Sequence, residues 1–135
     1  MVLKPGNHSS FSKIIGMSES KFKYAAKISS NFLTDKNLSL GEAVYNSAKI
    51  CKVELNANYN LGIIILCAPI IRVCMNSVKS FKLDLHKLLN TISEKDGDLI
   101  ISSIEYVKPA GIKNYHGAGN IFGSNKKLSF SKIMK

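Results

Sequence analysis

The stretch Leu61-Gly62-Ile63-Ile64-Ile65-Leu66-Cys67-Ala68-Pro69-Ile70-Ile71 restricts the fold more than any other part of the sequence. It is the most apolar run in the chain, yet it stops at Arg72, short of the ~18–20 residues a membrane-spanning helix needs. Its apolar side chains therefore call for burial against other protein. The β-branched residues suit a buried strand, whereas the continuation through Val73, Cys74 and Met75 suits a long helix bent at Pro69. A lone strand among helices would leave its backbone N–H and C=O groups without partners. The pattern predicts a helix over residues 61–75, the least exposed segment of the chain.

Helical periodicity surrounds this run. Ser18 and Ser20 are candidate caps for a helix whose Phe22, Ala25, Ala26, Ser29 and Leu33 share a face, with Lys21, Lys23 and Lys27 on the wet side. Thr34-Asp35-Lys36-Asn37 reads as a turn. Ser39 and Glu42 have the spacing of a capping box, and Val44, Ser47, Ala48, Cys51 and Leu55 form the stripe behind it. Asn56, Asn58 and Asn60 favour a helix end and the left-handed positions found there. Phe81, Leu85, Leu88, Leu89 and Ile92 make another stripe, with His86 at its solvent edge. Ser93 and Asp96 then open a last helix, lined by Leu99, Ile100, Ser103, Ile104 and Val107 and closed by Pro109 and Gly111.

The fold expected is all-α: a multi-helix bundle around a central apolar helix, able to form part of a larger helical domain. A helical unit should occupy residues 1–112. Residues 113–135, rich in Lys and Gly, read as a mobile tail, since the segment from Lys108 onward holds six Lys and no acid. With no apolar stretch after Met1-Val2-Leu3 to serve as a secretory signal, the compartment expected is the cytoplasm.

The 135-residue chain carries a net charge of +10, from eighteen Lys and a single Arg against nine acids. Such a balance suits an anionic ligand or polymer, and codon bias toward Lys, Ile, Asn and Ser explains it equally well. One Arg, no Trp and few aromatics are poor material for reading or stacking bases. Cys51, Cys67 and Cys74 contain no CxxC spacing and read as structural thiols. His8, His86 and His116 lie too far apart in sequence to suggest a metal motif, so no metal site is expected from them. Asp84, Glu94, Asp96, Asp98 and Glu105 have oxygen atoms suited to Mg²⁺, but such positions usually serve helix starts or solvent.

Two places have the chemistry to hold an anion. Asn58 and Asn60 lead into Leu61-Gly62, so a helix N-terminus with free N–H groups and a favourable dipole is crowded with amides. Lys4-Pro5-Gly6-Asn7 forms a tight turn in which Gly6 permits close backbone approach, Lys4 brings a charge and Asn7 an amide. Gly117-x-Gly119 lacks both the spacing and the preceding strand of a dinucleotide loop.

In this order, the KPGN turn, two helices and the run Asn58-x-Asn60-Leu61-Gly62-Ile63-Ile64-Ile65-Leu66-Cys67-Ala68-Pro69-Ile70 resemble the ATP:dephospho-CoA triphosphoribosyltransferase family. The Ser93-x-x-Asp96 helix ending at Lys108-Pro109-Ala110-Gly111 is similar to a further helix of that family. The resemblance covers residues 4 to 112 and implies an all-helical, ATP-dependent transferase. It would move the triphosphoribosyl group of ATP to the ribose 2′-hydroxyl of dephospho-CoA and release adenine, with Mg²⁺ accompanying ATP. Lys4, Gly6, Asn7, Asn58 and Asn60 are then the residues expected to contact phosphate or ribose, and no catalytic residue is assigned. Family members are longer, which points to a homo-oligomer or a partner carrying the remaining half. The competing reading is a small basic helical module that binds nucleic acid; a non-catalytic half of a split enzyme is a third.

Overall fold

A computed structural model describes residues 15–76 and 79–109. The KPGN turn, Gly111 and the Lys- and Gly-rich tail lie outside these residues, and so does the boundary expected near residue 112. Among the described residues there are five helices and no strand, so the chain is all-α: α1 (Glu19–Leu33), α2 (Leu40–Leu55), α3 (Leu61–Cys74), α4 (Phe81–Asn90) and α5 (Glu94–Val107). The apolar run is a helix, with Pro69 inside it.

Most of the predicted local signals operate as their chemistry requires. Ser18 caps α1, its hydroxyl accepting from the N–H of Lys21. The Asp35 carboxylate accepts from the N–H of Asn37 in the turn that follows. The Ser39–Glu42 capping box is complete in both directions. Asn56 ends α2 at φ 48, and Lys108 ends α5 at φ 52, both left-handed.

Packing differs from expectation in one respect. The least exposed helix is α2, not the apolar run. Leu40, Gly41, Ala43, Val44, Ser47, Ala48 and Cys51 are all buried, and α2 packs on α1, α3 and α5. Most of these side chains are small, so neighbouring helices approach closely on more than one side. Serines fill the seams without leaving polar atoms unmet. Ser47 Oγ donates to the Ser29 carbonyl at 3.0 Å, Ser29 Oγ to the Ala25 carbonyl at 2.8 Å, and Ser103 Oγ to the Ile100 carbonyl at 2.6 Å.

Helix α3 is instead two-sided. Leu61, Ile64, Ala68 and Val73 are buried, while Ile63 is 59% and Leu66 68% exposed, and Cys74 is exposed as well. The structural thiol is therefore Cys51, buried in α2, where desolvation pushes its pKa up. Helix α4 buries none of its residues, leaves Phe81, Leu83 and Leu89 exposed, and packs on α3. Its stripe marks an amphipathic helix laid against the bundle, rather than a core helix.

The junction of α2 and α5 is the tightest point. Asp96 Oδ1 accepts from Ser39 Oγ at 2.5 Å and from the N–H of Gly41 at 2.8 Å, while Oδ2 accepts from Ser93 Oγ at 2.9 Å. A Cβ on Gly41 would lie 2.6 Å from both the Cα and the carbonyl oxygen of Asp96. On the far side of this turn, Arg72 Nη2 donates to the Leu38 carbonyl at 2.7 Å, tying the end of α3 to the start of α2.

Two expectations follow. Gly41→Ala should force α2 and α5 apart and cost about 1–3 kcal/mol, the usual range for overpacking. Gly62→Ala, whose Cβ would meet nothing within 4 Å, should be neutral or stabilising by up to about 1 kcal/mol. Urea unfolding of both variants checks the contrast, and equal effects would contradict it. The second concerns acid. Burial alone would raise the pKa of Asp96, but the bonds from Ser39, Gly41 and Ser93, together with the charge of Lys95, hold it below its ordinary value. The depressed folded-state value means that this stabilisation is present at neutral pH and is lost as pH falls below about 4, through that value. Asp96→Ala should therefore be less stable than the parent at pH 7, with the gap narrowing in chemical unfolding at pH 3.

Candidate functional site

Three segments far apart in sequence meet at the N-terminal end of α3. The first is the entry of the described chain. Tyr59 Oη donates to the Gly16 carbonyl at 2.9 Å, and Gly16 adopts φ 83, a left-handed conformation natural to glycine. Phe22 of α1 packs edge-on against Tyr59, with ring centroids 5.0 Å apart. The chain that carries Lys4, Gly6 and Asn7 therefore joins the bundle beside residue 59, although those three residues lie outside the described part.

The second segment is the Asn-rich turn. Asn58 Oδ1 accepts from the N–H of Leu61 at 3.2 Å, satisfying the first free donor of α3. Asn60 is turned inward and is 8% exposed, its Nδ2 donating to Ser29 Oγ at 3.2 Å. The two asparagines thus have different positions: Asn58 is half-buried at the rim, and Asn60 is set in the core beside Cys51. The N–H groups of Gly62 and Ile63, next along the helix, make no hydrogen bond among the described residues. Gly62 has open space where a side chain would stand, so its backbone can be approached directly.

The third segment is the exit of α5. Val107 is buried in one small cluster with Leu61 and Ala48, so Lys108 and Pro109 leave the bundle at this same end. The Lys108 side chain is exposed.

What this arrangement offers is a set of donors. The groove bordered by Lys52, Asn58, Tyr59, Asn60 and Val107 contains no carboxylate, and between the described residues it has no room for a water molecule. A ligand at this end would lie over Gly62 rather than inside the bundle. Amides, free N–H groups and the positive end of a helix dipole suit an anion. Magnesium is less well served in the groove, whose lining brings no oxygen anion. Elsewhere Asp84 accepts from the N–H groups of Lys79 and Ser80, and Asp96 is held by Ser39, Gly41 and Ser93. Among the described residues no group of three or more His, Cys, Asp or Glu is placed to hold a metal ion. Also among them, no helix is long and apolar enough to cross a membrane.

The sequence pointed to Asn58, Asn60 and the free N–H groups of the helix start, but not to Tyr59, which is buried in the turn between the two asparagines. The signal for Tyr59 was available: an aromatic flanked by two polar turn residues usually packs inward and sends its hydroxyl to a backbone partner. The inward turn of Asn60 had no such signal, because it depends on Ser29, thirty-one positions away.

No curated protein and no solved structure matches the chain. The family described as CitG, ATP:dephospho-CoA triphosphoribosyl transferase, matches residues 1–135. The match spans the whole chain, including the turn of Asn58 to Gly62 and both flanking segments that meet it, and the chain belongs to the ATP:dephospho-CoA triphosphoribosyl transferase family.

Proposed function

We propose that this protein binds the triphosphate of ATP at the N-terminal end of α3 and transfers the triphosphoribosyl group to dephospho-CoA. The observation that carries the reading is the meeting of Gly16, Asn58–Gly62 and Val107–Lys108 at one helix start, in a chain of this family. In the reaction the bond from ribose C1′ to the adenine nitrogen breaks and a bond from C1′ to the 2′-oxygen of the acceptor forms. Adenine leaves with the bonding electron pair, and the proton lost by the acceptor hydroxyl ends on the adenine nitrogen. Positive charge develops at C1′, so what the protein must do is hold the triphosphate still and keep the ribose in line.

The amides of Gly62 and Ile63 would donate to phosphate oxygens, with the helix dipole adding to the attraction. Lys4, Gly6 and Asn7 would close over the phosphates from the preceding segment, Lys4 as charge and Asn7 as amide donor. Asn58 would orient ribose or phosphate at the rim. Asn60, also expected to contact ligand, would act by fixing the turn from within. Magnesium would arrive on the triphosphate, and no step here is assigned to it. A homo-oligomer or a second chain completing the acceptor side belongs to the same proposal. The exposed Ile63 and Leu66 beside the site support it.

The test is ligand-dependent stabilisation of the full chain. ATP with Mg²⁺ should raise the Tm more than an equal phosphate charge of oligonucleotide. Lys4→Ala combined with Asn58→Ala should abolish the ATP increment, each variant being compared with its own ligand-free form. That reference matters because loss of the Asn58 contact alone costs about 1 kcal/mol of stability. Binding to a nucleic acid by diffuse lysine contacts would instead fall with a log–log salt slope of about −0.7 to −0.9 per neutralised phosphate. A steep slope for oligonucleotide with no ATP effect would overturn the reading. Adenine release from ATP in the presence of dephospho-CoA is the corresponding activity assay.

A further inference from the structure

The opposite end of α3, about 20 Å away at ~1.5 Å per residue, holds a feature that the proposed transfer site does not use. A cleft of about 280 Å³ opens between the end of α3 and the side of α4. Arg72, Asn76, Asp84, Lys87 and Thr91 line it. Arg72 is the chain's single arginine, among eighteen lysines.

The polar groups of this cleft are unequally committed. Asp84 accepts from the backbone N–H groups of Lys79 and Ser80, both at 3.2 Å, so its charge is partly met by the start of α4. Thr91 Oγ1 donates to the Lys87 carbonyl at 2.9 Å, and Asn76 Nδ2 to the Arg72 carbonyl at 3.0 Å. Arg72 uses Nη2 on the Leu38 and Ser39 carbonyls. Its Nε and Nη1 make no hydrogen bond among the described residues, and neither does Nζ of Lys87. The bond to Leu38 fixes the plane of the guanidinium, and a fixed plane is what lets a fork of donors recognise an oxyanion.

We infer that this cleft is a second anion site, which takes the phosphate group of a small molecule between Arg72 and Lys87. Two cations face one carboxylate that is already hydrogen-bonded, so the local balance favours a negative ligand. The volume lies at the small end of ligand pockets and suits a free phosphate or a compact phosphate ester rather than a dinucleotide. Arg72 supplies direction, since its remaining donors are held in place by the α1–α2 turn. Lys87 supplies charge from a flexible, exposed stem. Because Arg72 also ties α3 to the turn before α2, occupancy of the cleft would bear on the same junction that Asp96 closes from α5. The inference does not depend on the reading of α3's N-terminus.

Amide NMR on the full chain tests it, with inorganic phosphate and ribose 5-phosphate titrated at low salt. Saturable shifts are expected at Asn76, Lys87 and Thr91 and at Nε of Arg72. Tighter binding of ribose 5-phosphate would identify an ester and tighter binding of phosphate a free ion; either supports the site. Lys87→Gln should weaken binding ~10-fold, the loss of one charge-assisted contact, while the folded spectrum stays intact. Arg72→Lys keeps the charge but loses the fork, and should weaken binding at least as much. Lys49→Gln, on the exposed side of α2, should change nothing. Shifts confined to Gly62 and Ile63, unaltered affinity in Lys87→Gln, an equal loss in Lys49→Gln, or shifts that never saturate would each overturn the inference.

Discussion

The contact of Asp96 with the start of α2 organises the bundle. One carboxylate holds Ser39 Oγ and the Gly41 N–H of α2 while pairing with Ser93 at the start of its own helix. It works only because Gly41 has no side chain, since a Cβ there would collide with the backbone of Asp96. Glu42 closes the capping box of the same turn, and Arg72 reaches the carbonyl just before it. Donors left free by helix geometry are therefore met by α5, and acceptors next to them by α3. The neighbouring ion pair between Lys95 and Glu42 is exposed and adds little by comparison.

The triphosphate site is proposed at the other end of the bundle. The helix order and short turns bring the start of α3, the entry before α1 and the exit of α5 together there. Burial of Asn60 on Ser29 and of Tyr59 against Phe22 fixes the turn from inside. What remains is a pair of backbone N–H groups, at Gly62 and Ile63, that make no hydrogen bond among the described residues, with open space where a Gly62 side chain would stand. A site built from backbone and amides, rather than from charged side chains, needs a rigid scaffold, and α2 behind it is the most buried helix among the described residues.

Much of this was legible in the residues. Capping signals at Ser18, Ser39 and Ser93 located three helix starts, because a cap is a local device whose partners lie within three residues. The apolar run was recognisable as a helix because a lone strand had no partner. A helix apolar all round does not by itself show which face is covered, and Ile63 and Leu66 show that one face is not. The prominence of α2 escaped for the converse reason. Beside Leu40 and Val44, its buried face is made of small residues, Gly41, Ala43, Ser47, Ala48 and Cys51, which allow close approach. At the site, the asparagines were legible as a pair, whereas their division of labour depended on contacts with Ser29 and Leu61 that spacing does not encode.

The central claim is that the start of α3 receives the triphosphate of ATP. Amide chemical-shift mapping of the full chain with ATP and Mg²⁺ tests it most directly. The account predicts that the largest saturable shifts fall on Gly62 and Ile63, with the Asn58 side-chain amide moving alongside them. Shifts centred on the lysines of α1 and α2, with Gly62 and Ile63 unmoved at saturation, would contradict it.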